Sequence, residues 1–176
     1  MKATPGLDAP DLSAPGPRPP GAAELLRAVF RRHAAGVAVV TAAGTRPVGF
    51  TATSLASVSM EPPLLSFGVG TGSSSWPVLS EARHIGVHLL GEDQRELAET
   101  FARSGADRFA PPTRWRTGPY GVPVLDGVPA WLVCAVVARI PAGDHRVVIA
   151  RPEAGDPSGA GRPLLYHQGR FNALRD

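Results

Sequence analysis

The sequence predicts a mainly β, antiparallel domain, a barrel or a sandwich, with a few short helices around it. Three observations carry this. Apolar and β-branched runs of strand length recur, GVAVVTAA at 36–43, LLSFGV at 64–69 and AWLVCAVVARI at 130–140. Turn chemistry separates them, with Gly44 and Pro47 in one gap and Gly143-Asp144 in another. Strands at 36–43, 48–53 and 64–69 also follow one another without a helix between them. That is a meander, and a meander argues against a parallel sheet.

The stretch 49–69, GFTATSLASVSMEPPLLSFGV, is the one around which the rest is arranged. It reads as strand, polar loop, double-proline turn, strand. Thr51, Thr53, Ser54, Ser57 and Ser59 place five hydroxyls in nine residues. Such groups bind the polar edge of a ligand without carrying charge. The same hydroxyls equally suit a hairpin whose Thr and Ser satisfy their own backbone. Pro62 and Pro63 forbid helix, so the chain turns there in extended form.

The remaining elements follow in order. Residues 1–21 hold six prolines and almost no large apolar side chain, too little to offset the entropy of ordering, and read as a disordered tail. Residues 22–35 read as a helix with Leu25, Leu26, Val29 and Phe30 on one face, stopped by Gly36. GTGSSS at 70–75 leads into a short helix at 76–82, capped by a serine and with Pro77 in its first turn. That arrangement suits either a phosphate cradle or a plain helix cap. A strand at 83–90 follows, then an amphipathic helix at 92–102 with Leu97, Thr100 and Phe101 inward. Residues 105–114 are irregular, and 122–125 read as a short edge strand. The long strand at 130–140 turns at Gly143-Asp144 into its partner at 145–150. Residues 151–161 read as a Pro/Gly-rich loop, and 163–171, PLLYHQGRF, as the last strand.

Composition limits the function classes. The chain has 176 residues, 43% hydrophobic and 19% charged, which suits one domain with a sizeable core. Net charge is only +3, Lys2 is the single lysine and the arginines are scattered, so no phosphate-tracking stripe for nucleic acid is visible. Cys134, the only cysteine, lies in the apolar run WLVCAVV and reads as a small buried hydrophobe. No apolar stretch approaches the ~20 residues of a membrane span, and the N-terminus lacks a signal-peptide core, so a soluble cytoplasmic protein is expected. The five histidines, His33, His84, His88, His145 and His167, form no metal-ligand pattern. No G-x-S-x-G elbow anchors a hydrolase triad. Gly68-x-Gly70-x-Gly72 sits between strand and helix, but Ser73 or Ser75 stands where a dinucleotide fingerprint needs its third glycine. A Rossmann dehydrogenase therefore stays a minor alternative. His145 opens a strand after a tight turn, either merely exposed or in contact with a ligand at a barrel rim.

Taken together, GVAVVTA, GFTATSLASVSMEPPLLSFGV, SSSW, DRF, GDHRVVIA and PLLYHQGRF resemble, in order and spacing, the flavin reductase-like family. These are small reductase components of two-component flavin-dependent monooxygenases. The likeness runs from about Leu25 to Phe171. It implies an FMN-binding split β-barrel, antiparallel and of Greek-key type with a few flanking helices, over a domain at 22–176. It also implies a homodimer with flavin sites near the subunit interface. The activity implied is reduction of FMN or FAD by NADH or NADPH, with transient transfer of reduced flavin to an oxygenase. Position by position, Thr51, Ala52, Thr53, Ser54, Leu55 and Ala56 match the loop at the isoalloxazine edge. Ser73, Ser75 and Trp76 match the phosphate segment, and Arg103, Ser104, Arg108 and Phe109 the segment reaching phosphate and ribityl chain. His145, Tyr166 and Arg170 match nicotinamide nucleotide contacts. His88 departs from the family, standing where many relatives carry Asn. Hydride transfer between two cofactors needs no acid–base triad, so His145 is expected to position nicotinamide and not to donate a proton. The same fold also suits a flavin-binding sensor or carrier without reductase activity.

Overall fold

The computed structural model describes residues 21–174. Apart from Gly21, the tail expected over 1–21 lies outside the described residues. The chain forms α1 (Ala22–Phe30), β1 (Ala35–Gly36), β2 (Ala38–Ala42), β3 (Val48–Ala52), β4 (Ala56–Met60), β5 (Pro63–Gly70), α2 (Trp76–Glu81) and β6 (His84–Leu89). A 3-10 turn, Glu92–Gln94, runs into α3 (Arg95–Ala102). Then come β7 (Trp115–Thr117), β8 (Pro123–Leu125), β9 (Ala130–Ala142), β10 (His145–Asp156), β11 (Leu164–His167) and β12 (Arg170–Ala173). Seven strands form one antiparallel sheet in the order β3-β2-β6-β9-β10-β5-β4, with β1-β11-β12 and β7-β8 as two smaller sheets.

The large sheet curls around an apolar interior. Alternation along β5 turns Leu65, Phe67 and Val69 inward and leaves Ser66, Gly68 and Gly70 on the outer face. Phe67 meets Val40, Ile85, Val87, Cys134 and Val148 inside. Cys134 is fully buried, and burial pushes its thiol up to about 12, so it is an inert core residue. β3 does not pair with β5. Instead Ser54, just after β3, bridges the split by accepting the Gly68 N–H at 2.9 Å.

A second core lies outside the barrel, where Val37 and Val39 meet Ala98 and Phe101 of α3 and Leu164 of β11. Gly49 permits this closeness, since a Cβ there would stand 2.8 Å from both the Phe101 ring and the Val40 carbonyl. The β9–β10 hairpin turns at Gly143 with φ 63°, the left-handed conformation that a two-residue turn needs.

The structure departs from the sequence reading in several places. Segments 48–53 and 64–69 are not neighbours in a meander, because β3 pairs with β2 and β5 pairs with β10 and β4. The polar run between them is an edge strand, β4, hidden by the lack of any buried face. The first helix ends at Phe30, and Gly36 belongs to β1. In α3 the buried residues are Ala98 and Phe101, with Leu97 and Thr100 only half-buried. β10 continues through 151–156, and bulges near Ala150 and Pro152 accommodate the proline. The last segment is a hairpin, folded at Gln168 (φ 52°) and Gly169 (φ 78°). β8 is a short edge strand as expected, paired only with β7, yet it is buried, and its Pro123 carbonyl accepts the Thr41 hydroxyl at 2.6 Å.

His88 on β6 is fully buried, its Nδ1 donating to the Val39 carbonyl at 3.0 Å while Nε2 has no partner. Burial, with a smaller push from Arg116, holds its pKa down at about 4 against the opposing Val39 bond. The folded pKa lies below the unfolded one, so this histidine's contribution is complete above about pH 6.5 and is lost as pH falls toward about 4. Fully expressed, the loss is about 3 kcal/mol. The melting temperature of the wild type is therefore expected to drop more than that of His88→Asn between about pH 7 and about pH 4.5. Parallel melting curves would remove His88 from this role.

Candidate functional site

Two turns and one strand face build the site. β3 ends by committing its side chains inward. Thr51 Oγ1 donates to the Ala98 carbonyl of α3 at 2.6 Å, and Ala52 points into the barrel. The exposed hydroxyls begin one residue later, at Thr53 and Ser54. Ser54 is fixed on Gly68 as described above, so its oxygen is held at the margin of β5.

From Ser54 a strip of bare backbone runs along the outer face of β5. Gly68 and Gly70 carry no side chain, and a Cβ on Gly68 would find only Ser54 Oγ, at 3.5 Å. His145 closes the far end, its Nε2 3.6 Å from where a Cβ on Gly70 would be. The imidazole is oriented by Nδ1 against the Asp144 carboxylate at 2.7 Å. The Asp144 carbonyl accepts from both the N–H of Thr71, at 2.9 Å, and its hydroxyl, at 3.1 Å, which ties the hairpin turn to the segment after β5. The result is a flat strip, two glycines long, between a hydroxyl and an imidazole.

Beyond Gly70 the chain forms a polar corner. The Ser75 hydroxyl is buried and donates to the Gly49 carbonyl at 2.9 Å, and it makes no cap of α2. Ser73 Oγ accepts the Ser75 N–H at 3.3 Å. Arg108 reaches in from the irregular segment. Its Nη1 donates to Ser74 Oγ at 3.2 Å and Ser75 Oγ at 3.3 Å, and its Nη2 donates to the Arg103 carbonyl at 2.8 Å. Its Nε is buried with no partner, and burial lowers the guanidinium pKa from its ordinary value. An immobilised cation with a spare donor among hydroxyls is a site for a phosphate-sized anion.

Two clefts flank the hydroxyl loop. One, of about 820 Å³, is walled by Thr51, Thr53, Arg95, Glu99, Tyr166 and Arg170. The other, of about 640 Å³, sets Thr53, Ser54, Leu55 and Ala56 against Phe30 and Tyr166. Thr53 and Tyr166 therefore stand at the junction of both.

The expected site residues thus divide. Thr53, Ser54, Leu55 and Ala56 share a cleft with Tyr166, while Ser73, Arg103 and Arg108 meet at the corner. Phe109 supports that corner from behind, edge-on to Phe101 and Trp115 with centroids 5.3 and 5.4 Å away. Ala52 and Trp76 serve the packing instead, Trp76 lying against the barrel core, while Thr51 walls a cleft with its hydroxyl spent on Ala98, and Ser75 joins the corner by accepting from Arg108 while donating to Gly49. Ser104 is exposed. His145 borders the glycine strip and lines neither cleft of Tyr166 and Arg170. Sequence reasoning missed Ser74, Asp144 and the role of Gly68 and Gly70. Period-two alternation in LLSFGVG, with Leu65, Phe67 and Val69 inward, could have placed both glycines on one outer face.

The antiparallel split barrel thus carries a bare strand face at Gly68 and Gly70 and an arginine–serine corner at Ser74 and Arg108. Residues 30–175 match the flavin reductase like domain, and the chain belongs to that family. It is 50% identical over 151 residues to an NADH:FMN oxidoreductase of Rhodococcus qingshengii, covering 82% of this chain and 78% of the relative. A flavin reductase domain protein from Arthrobacter sp. FB24 superposes with a TM-score of 0.82 at 43% identity, covering 88% of this chain and 96% of that one. BorF, the flavin reductase component of a bacterial two-component tryptophan halogenase, does so with a TM-score of 0.80 at 34% identity, over 88% and 99% of the two chains. The antiparallel sheet removes the Rossmann alternative.

Proposed function

We propose that this protein is an NAD(P)H-dependent flavin reductase that binds FMN or FAD and supplies reduced flavin to a partner flavin-dependent monooxygenase. The observation that carries this is the family match over residues 30–175, and two features of the chain support it: the bare Gly68–Gly70 face, suited to a planar ring, and, three residues further along, the Ser73–Ser74–Arg108 corner, suited to a phosphate. The residues present fit such a group, since the buried, unpartnered Nε of Arg108 calls for an acceptor oxygen. Held there, a flavin would supply the redox chemistry, as acceptor for the reduced nicotinamide. The chain's own groups bind and orient. Thr53 and Ser54 offer hydroxyls to the polar ring edge, Arg108 neutralises phosphate, and His145, braced by Asp144, positions the nicotinamide nucleotide. Tyr166 and Arg170 extend the mouth on the side of Thr53.

We also infer a homodimer. Leu25, Leu26, Val29 and Phe30 form one apolar side of α1 and are 56–67% exposed in the single chain. A second copy covering this side would bury an apolar patch of the kind monomers seldom leave in water. Sedimentation should give twice the chain mass, and Leu26→Glu should lower it to that of one chain. A wild type that sediments as a monomer contradicts the dimer.

The activity test is NADH oxidation followed by absorbance. Turnover is expected only when free FMN or FAD is added, and none with either nucleotide rejects the enzyme. Tight flavin binding without turnover would instead favour a carrier. Within an active enzyme, His145→Ala should raise KM for the nucleotide about tenfold, the loss of one charge-assisted contact, with a smaller change for flavin. Equal changes in both constants would remove His145 from nucleotide positioning.

A further inference from the structure

β7 and β8 form a hairpin, and its turn is built irregularly. The Val122 N–H donates to the Pro119 carbonyl at 3.1 Å, with Tyr120 (φ 57°, ψ 19°) and Gly121 (φ 75°) between them. Both lie in the left-handed region that a type I′ turn requires, where Asn, Asp or Gly is the usual first residue. A tyrosine there is strained and persists only where its surroundings hold it. Burial does not hold it, since Tyr120 is 62% exposed. Two neighbours do. Its ring lies flat on the His84 imidazole of β6, with centroids 4.0 Å and planes 2° apart. Its phenol hydrogen-bonds the Glu153 carboxylate, which raises the phenol pKa above its ordinary value. His84 Nε2 donates to the same carboxylate at 3.1 Å, and Arg151 Nη2 does so at 2.9 Å. Glu153 is itself the unpaired residue of a β10 bulge, between Pro152, opposite Cys134, and Ala154, opposite Val133. Bulges re-aim side chains. A strained turn and a bulge thus converge on one cluster, which lines neither cleft and stands apart from the anion corner.

We propose that Tyr120 is a positioning residue for phosphate binding, which rests on the flavin reading above. Docked on His84 and Glu153, it fastens the tip of the β7–β8 hairpin to the barrel. The root of the same hairpin meets the anion corner. Trp115, the first residue of β7, donates from Nε1 to the Phe109 carbonyl at 3.2 Å and packs edge-on against that ring. Phe109 in turn packs on Phe101 of α3 and directly follows Arg108 in the chain. A hairpin fixed at its tip therefore holds Trp115, Trp115 holds Phe109, and Arg108 keeps its place beside Ser74 and Ser75. Order imposed before a ligand arrives lowers the cost of ordering the guanidinium when it takes an anion.

The test measures Kd and the dissociation rate for FMN and for riboflavin, which lacks the phosphate, in the wild type, Tyr120→Asn, Tyr120→Phe and Glu153→Gln. Asparagine suits the turn, so Tyr120→Asn removes the ring without straining the backbone. It should raise Kd for FMN about fivefold, mainly through faster dissociation, while riboflavin moves less than about twofold. Tyr120→Phe keeps the stack on His84 and should recover part of the FMN affinity. Glu153→Gln should weaken FMN in the same direction, and it leaves the turn untouched, so its result stands even if Tyr120→Asn unfolds. In an Arg108→Ala background Tyr120→Asn should add no further loss, because the two act through one contact. Equal weakening of FMN and riboflavin, an added loss in the Arg108→Ala background, or no change in any variant overturns the proposal. A wild type that binds neither flavin removes the flavin reading and this proposal with it.

Discussion

Gly68→Val is expected to abolish flavin binding while leaving the protein folded. The reason is the double character of the position. Gly68 lies within a regular strand pair, opposite Val147 of β10. Its φ is not among the positive ones, and a Cβ there would meet nothing closer than Ser54 Oγ, at 3.5 Å. The backbone therefore accepts a β-branched residue, which strands favour over glycine by up to about 1 kcal/mol. The side chain, however, would stand on the outer face between Ser54 and His145, where the ring is placed. Flavin Kd should rise roughly 100-fold or more, equivalent to about 2.7 kcal/mol. Gly68→Ala should give a smaller loss. Equilibrium titration with FMN, beside a thermal melt, checks both halves. A Gly68→Val protein that melts like the wild type and still binds FMN normally would move the ring off this strip.

Arg108→Ala carries the second large effect. Its guanidinium is held by Ser74, Ser75 and the Arg103 carbonyl, so it is already oriented before a ligand arrives. Removing a charge-assisted contact of this kind costs about 1.5–3 kcal/mol, or roughly a 10- to 150-fold rise in Kd for FMN and FAD. Riboflavin, which lacks the phosphate, should bind the variant and the wild type alike. Arg108→Lys should restore charge without the fork, and so only part of the affinity. Wild-type FMN affinity should also fall with added salt more steeply than riboflavin affinity. If riboflavin weakens as much as FMN, Arg108 acts through the fold and not on phosphate.

The strands with a buried face were legible because their chemistry is periodic. Val39 and Val40 in β2 and the apolar alternation of β5 announced themselves by pattern alone. β4 did not: Ser57 and Ser59 alternate with Ala56, Val58 and Met60, but that apolar side stays exposed, and the cluster of hydroxyls before the double proline reads as a loop. Strand neighbours were harder still. Local turn chemistry revealed the β2–β3 and β9–β10 hairpins, but the placement of β6 between β2 and β9 depends on contacts far apart in sequence. In the candidate site, sequence identified the loop at 53–56 and Arg108 as residues to watch. It could not separate Thr51, which α3 consumes, from Thr53, which faces outward. Nor could it show that Ser75 donates to Gly49 and is buried, while both it and Ser74 accept from the Arg108 guanidinium. Those distinctions are set by which way a side chain points once helix and sheet have packed.

The most direct measurement is a crystal structure of the protein grown with FMN. The ring should lie along Gly68 and Gly70 between Ser54 and His145, with its phosphate accepting from Arg108 and the serines beside it. Density for FMN in another cleft, or none along that strip at saturating FMN, would contradict the account.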